Sequence, residues 1–145
     1  MTVVFNATGV KPTDLIEVHA LNLANKLVNE PVKGEKDATT TQLRRFYQEF
    51  LQLRQKVKNN PETFEQSRIP LKMLIAKSEY AYGRGVVPQL FVDWMKSNIK
   101  EIQSSDDMEL FGYYFEAVIG FFYGRNAEKK QREKQHAHGQ GGYER

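Results

Sequence analysis

Apolar residues recur along this chain at helical spacing, and strict alternation with polar residues over four or more positions is rare. The pattern predicts five helices. The first covers residues 13–28 with Thr13 as its N-cap, and a loop through Pro31, Gly34 and Asp37 follows. The second starts at Thr40 or Thr41 and runs to Lys58, where Asn59-Asn60-Pro61 breaks it. A short turn over 62–66 precedes a third helix over 70–83, with Pro70 in its first turn and Gly83 at its end. The fourth covers 88–102. Ser104 and Ser105 then offer a cap, and Asp106 and Asp107 offer negative charge, for a fifth that reaches Tyr123-Gly124. The expected fold class is all-α: one compact bundle of about five helices over residues 1–125. Residues 126–145 form a flexible basic C-terminal tail, polar and too poor in apolar side chains to offset its ordering entropy.

The faces of three helices carry more detail. Wound at 100° per residue, the second helix gathers Leu43, Phe46, Tyr47, Phe50, Leu51, Leu53 and Val57 on one side. Its other side holds Arg44, Arg45, Gln48, Gln52, Gln55 and Lys56, with Glu49 the single acid. A merely solvated face interleaves both signs; bases with neutral amides suit phosphates and sugar hydroxyls. Arg54 falls inside the apolar arc, where its long stem can snorkel. On the third helix Lys77 and Arg84 are seven residues apart and share a face, with Tyr80 beside them. Such a tyrosine either stacks on a base or packs in the core, and core packing is the commoner role. The fifth helix is apolar nearly all round, which predicts a central position in the bundle or a subunit interface, with Phe91 and Trp94 packed near it.

Charge sharpens the picture. Net charge is +3, yet residues 39–84 carry nine basic against four acidic side chains. A basic field concentrated in the middle third attracts polyanions. Candidate chemistry is sparse. With no cysteine there is neither a disulfide nor a thiolate metal site. The glycines of Tyr82-Gly83-Arg84-Gly85 follow no strand and do not make a phosphate loop. His19 stands alone, and His136 and His138 lie in the tail. Asp106-Asp107 reads as helix N-terminal charge, not as an acid/base dyad. No enzyme, no cofactor and no metal is expected. The start of the chain lacks the pattern of a signal peptide, and the longest apolar run is too short to span a bilayer, so a cytoplasmic protein without a membrane partner is expected.

Three stretches together resemble a known family. Thr40-Thr41-Gln42-Leu43-Arg44-Arg45-Phe46-Tyr47, Lys77-Ser78-Glu79-Tyr80-Ala81-Tyr82-Gly83-Arg84 and Phe111-Gly112-Tyr113-Tyr114-Phe115-Glu116-Ala117-Val118-Ile119 occur in the order and spacing seen in the small subunit of the type III-A CRISPR interference (Csm) complex. The resemblance covers roughly residues 40–123. It treats the N-terminal helix and the tail as departures from the family pattern. It implies a non-catalytic helical bundle that self-associates into a short filament beside the backbone subunits and touches the polymerase-like large subunit. It also implies that the chain lines the channel of the guide RNA–target RNA duplex and supports the target strand. RNA contact is expected at the matched positions Arg44, Arg45, Lys77 and Arg84, and charge alone adds Lys56, Lys58 and Lys72. A subunit serving every guide must hold the backbone and leave sequence to base pairing. The expectation is of a continuous cationic strip from the second and third helices. Alternatives are the small subunit of the type III-B (Cmr) complex, a helix-turn-helix DNA-binding regulator, and a helical scaffold that binds no nucleic acid. A long connection at 59–68 argues against the regulator.

Overall fold

The computed structural model describes the backbone of residues 2–30, 32–33 and 36–143, with side chains throughout these except at 36–38 and 137–143. Among the described residues there are five helices and no strand, an all-α bundle as expected.

The first helix, α1, is α-helical at Pro12–Asp14, widens to a π turn at Leu15–His19 and is α-helical again over Ala20–Asn29. It starts one residue before Thr13, with Pro12 at its first position and no side-chain cap, so Thr13 is not the N-cap. The π turn has a packing reason. A wider turn sets residues five apart on one face, and here it aligns Leu15 with Ala20, Leu23, Ala24 and Leu27, all buried. The segment before α1 packs on the body too: buried Phe5 donates its N–H to Asn98 Oδ1 (2.8 Å). Tyr114 donates its hydroxyl to the Val3 carbonyl (2.9 Å).

Helix α2 spans Lys36–Asn59 and so begins four residues before Thr40. The expected loop residues Pro31 and Gly34 lie outside the described residues, and Asp37 is in the first turn of α2. A three-residue 3-10 turn, Pro61–Thr63, leads directly into α3, Phe64–Gly83. The third helix therefore begins six residues before Pro70, which sits inside it. Burial of Phe64 and Ser67 anchors the extra turns to the core. Pro70 and Gln66, whose carbonyl loses its partner there, are both exposed, so the break in the hydrogen-bond ladder falls on the solvent side of the helix. Helix α3 ends in a Schellman motif: Val86 N–H bonds Ala81 O (3.1 Å) and Gly85 N–H bonds Tyr82 O (2.9 Å). The left-handed residue is Gly85 (φ 77°), not Gly83.

Helix α4, Gln89–Ile99, is three residues shorter than the expected end at Ile102. Ser104 Oγ then accepts the Asp107 N–H (3.1 Å) while Asp107 Oδ2 accepts the Gln103 N–H (2.9 Å), the cap that the serine-aspartate run promised. Helix α5, Ser105–Tyr143, runs well past the expected end at Tyr123-Gly124. Beyond that point Asn126 donates to Thr40 Oγ1 (3.3 Å) and Lys129 to the Val28 carbonyl (3.0 Å). The expectation of a mobile tail falls partly on residues 144–145 and on side chains 137–143, outside the described residues.

Helix α5 is central, as its all-round apolarity predicts. It packs on α1 and α2, while α3 packs on α2 and α4. Trp94, Phe111 and Phe115 meet at ring centroids 5.2 to 5.7 Å apart, and Phe50 and Tyr114 close around them. The edge-to-face pairs among them, Trp94–Phe115, Trp94–Tyr114 and Phe50–Phe111, add about 0.5–1.5 kcal/mol each beyond area burial.

Candidate nucleic-acid interface

The α2–α3 hairpin carries the candidate site. With only Asn60 and the Pro61–Thr63 turn between them, the two helices run side by side. The start of α2 thus lies against the end of α3. Each contributes four residues at i, i+3, i+4 and i+7: Gln42, Arg45, Phe46 and Glu49 from α2, and Lys77, Tyr80, Ala81 and Arg84 from α3. These eight line a groove of about 140 Å³. Phe46 and Ala81 are buried and form its floor, while Arg45, Lys77, Tyr80 and Arg84 are exposed on its walls.

Three cations face one carboxylate in this groove. Lys77 Nζ pairs with Glu49 Oε2 (3.1 Å), which ties the two helices together. Among the described residues no carboxylate pairs with Arg45 or Arg84. Arg84 caps the C-terminus of α3, where the helix dipole favours a cation. Its guanidinium lies 5.8 Å from the centre of the Tyr80 ring.

The fold separates the seven residues expected from the sequence. Arg45, Lys77 and Arg84 converge on the groove. Arg44 is exposed but does not line it, being turned by about 100° from Arg45 around the axis of α2. Lys56 is exposed further along the Arg45 side of α2, eleven residues or about 16 Å on. Lys72 is exposed on α3, roughly 140° around from Lys77. Lys58 turns to another surface and pairs with Glu109 (3.7 Å). The expected continuous strip is therefore corrected to a compact groove with outlying cations, because two helices show each other only one flank.

Tyr80 is the residue that sequence reasoning misjudged. Core packing was the favoured expectation, yet Tyr80 is 69 % exposed. The core side of α3 is set by Phe64, Ser67, Leu71, Leu74, Ser78 and Ala81. Tyr80 lies about 150° from the middle of that arc, a phase that winding the helix from Leu71 and Leu74 reveals.

Arg54, by contrast, is structural. It is buried at 8 % exposure and forms two hydrogen bonds to Glu109 (Nε–Oε2 3.2 Å, Nη2–Oε1 3.0 Å). Its guanidinium also lies 4.9 Å from the Tyr113 ring centre. Burial is the largest single effect and pushes its pKa down, but the hydrogen bond to Glu109 and the charges of Glu109, Tyr113 and Tyr47 together outweigh it, and the net shift is upward. Glu109 is held below the usual carboxylate range, first by the Arg54 hydrogen bond and then by the charges of Arg54 and Lys58. No group of three metal-binding side chains occurs among the described residues, and no helix there is long and apolar enough to cross a membrane.

Fold and groove together define a small all-helical subunit with a basic cleft between two adjacent helices. Residues 13–128 match the family described as Csm2 Type III-A, and the chain belongs to that family. It is thereby the small subunit of the type III-A CRISPR (Csm) effector complex. No curated protein and no solved structure matches it. The family match begins at residue 13, so α1 is part of the family body and not the extension that the shorter resemblance suggested. The type III-A family match also decides against the type III-B alternative. The length argument against a helix-turn-helix regulator does not survive, since the expected long connection is only residues 60–63; family membership argues against that reading instead.

Proposed function

We propose that this subunit grips RNA backbone in the α2–α3 groove, without base preference, along the guide RNA–target RNA duplex and the target strand. In this reading it bridges neighbouring subunits of the complex, self-associates in a row of copies, and acts in the cytoplasm in antiviral defence. The observation that carries the reading is the convergence of Arg45, Lys77 and Arg84 from two helices onto one groove. Arginine and lysine meet phosphate oxygens through charge-assisted bonds, and each phosphate neutralised releases counterions. One groove holds few phosphates, so a single copy binds weakly and a row of copies gains by avidity.

The test is RNA binding by the full chain over a range of salt concentration. Reversing Arg45 and Arg84 to glutamate leaves the fold intact, because both are exposed, and weakens binding to RNAs of unrelated sequence by similar factors. Removing one groove cation lowers the slope of log affinity against log salt by about one. Arg44→Glu, outside the groove, weakens binding less than Arg45→Glu does. Equal affinity of parent and Arg45→Glu/Arg84→Glu variant at moderate salt overturns the reading.

A further inference from the structure

A groove that only followed phosphates would have no use for an open aromatic ring, yet one stands on its wall. Tyr80 is 69 % exposed, on a helix whose opposite flank, Phe64, Leu71, Leu74 and Ala81, is buried against the bundle. Its neighbours are cations: Arg84 lies 5.8 Å from the ring centre, and Lys77 and Arg45 line the same groove. The open strip continues back along this edge of α3 through Met73 (49 % exposed) and Ile69 (76 %). Met73 is two turns, or about 10 Å, before Tyr80 on the same side of the helix.

We infer that Tyr80 is a stacking platform for an unpaired base of single-stranded RNA, whose flanking phosphates rest on Arg45 and Arg84. This inference rests on the backbone-binding reading above and deepens it by naming the form of RNA the groove takes. A duplex keeps its bases stacked on one another and presents phosphate, sugar and base edges, so an exposed ring gains nothing from it. An unpaired base offers a free π face that any of the four bases can present, so stacking adds affinity without adding sequence preference. Arg84 lies over the ring and covers part of one face, and the large remaining exposure leaves ring surface for the base. Glu49, held by Lys77, repels phosphate from its own corner and so leaves the path between Arg45 and Arg84 as the favourable one.

The experiment compares the full-length chain and its variants on three fluorescein-labelled probes of equal length at low salt: oligouridylate, a fully paired RNA duplex, and an abasic strand. Tyr80→Ala weakens oligouridylate binding about ten-fold and leaves duplex binding within about two-fold. Tyr80→Trp retains the oligouridylate affinity, and the parent binds the abasic strand about ten-fold more weakly than oligouridylate. Unchanged thermal melting of Tyr80→Ala excludes loss of fold as the cause. The inference is overturned if Tyr80→Ala weakens both RNAs equally, if it weakens neither, or if the parent binds the abasic strand as well as oligouridylate. It is also overturned if the substitution spares RNA binding and abolishes self-association in sedimentation, which would make the Ile69–Met73–Tyr80 strip a protein contact. In all these outcomes the backbone-binding reading survives as long as Arg45→Glu/Arg84→Glu still weakens binding. Should that double variant bind every probe like the parent, both fall.

Discussion

Arg54 leaves no room for a side chain at Gly112. A Cβ built there would stand 2.8 Å from Arg54 Cδ and 2.9 Å from Nη1, closer than real contacts allow. The glycine on α5 and the arginine on α2 are thus one packing unit. The missing Cβ lets the arginine stem lie flat on the helix, and the guanidinium then reaches Glu109 and the Tyr113 ring.

Two opposed effects decide what Gly112→Ala does. Alanine favours helix by about 1 kcal/mol over glycine, while displacing a buried, doubly bonded arginine costs more than that. We expect a net loss of about 1–2 kcal/mol, a fall of roughly 3–6 °C in Tm. The same substitution made in an Arg54→Ala background should be neutral or stabilising, since the obstacle is gone. A double-mutant cycle by thermal melting measures this coupling; additive effects would refute it.

Acid should act through the same pair. The Glu109 carboxyl is held below its ordinary value of 4.5 by Arg54, so it binds its proton less readily folded than unfolded. A group of this kind adds stability above its unfolded pKa and loses it as pH falls toward the folded one. Thermal stability should therefore stay level from neutral pH to about 5 and drop below it. Glu109→Gln should start lower at neutral pH and show a shallower acid slope than the parent. Glu65, beside Arg68, shifts in the same direction but is exposed, where screening leaves it a minor share.

Alkali should act through Tyr114. Burial pushes its phenol up to about 12, and the hydroxyl is engaged with the Val3 carbonyl. The folded state keeps this proton longer than the unfolded chain does, so its contribution is complete below the ordinary value of 10 and is lost between there and about 12. Tyr114→Phe should cost about 1 kcal/mol at neutral pH from the lost hydrogen bond. It should also flatten the alkaline decline in Tm relative to the parent, and identical slopes would count against the assignment.

Glu49 is the groove's one carboxylate, so its removal should improve the site. Glu49→Gln deletes a negative charge facing the RNA and frees Lys77 from a 3.1 Å pair. The pair is exposed and worth at most about 1 kcal/mol, so stability should hardly change. RNA affinity at low salt should rise several-fold, about the effect of 1 kcal/mol, and the gain should shrink as salt is added. Weaker binding by this variant would mean that Glu49 positions Lys77 more than it repels phosphate.

Much of the fold was legible because helical periodicity is a local property. Spacing alone puts Leu43, Phe46, Phe50 and Val57 on the buried side of α2, and they are buried. The central place of α5 followed from its Phe111, Phe115 and Val118 pattern in the same way. The errors sit where a distant contact overrode a local signal. Pro70 looked like a helix start, but burial of Phe64 and Ser67 carries α3 six residues further back. The π turn at Leu15–His19 has no local signature, because it arises from the need to keep Leu15 on the face that meets α5.

The amino-acid order, then, was enough for the helical class, for the basic character of the middle third, and for the family's ordered motifs, since each depends on residues within a few turns of one another. Which of the cations share a surface was a different matter. Arg45 meets Lys77 and Arg84 only because a three-residue turn folds α3 back along α2, and the same packing sends Arg44 and Lys58 elsewhere and turns Tyr80 outward. Those outcomes depend on how two helices are rotated against each other and against a third, and that rotation is set by the whole core and not by any local stretch.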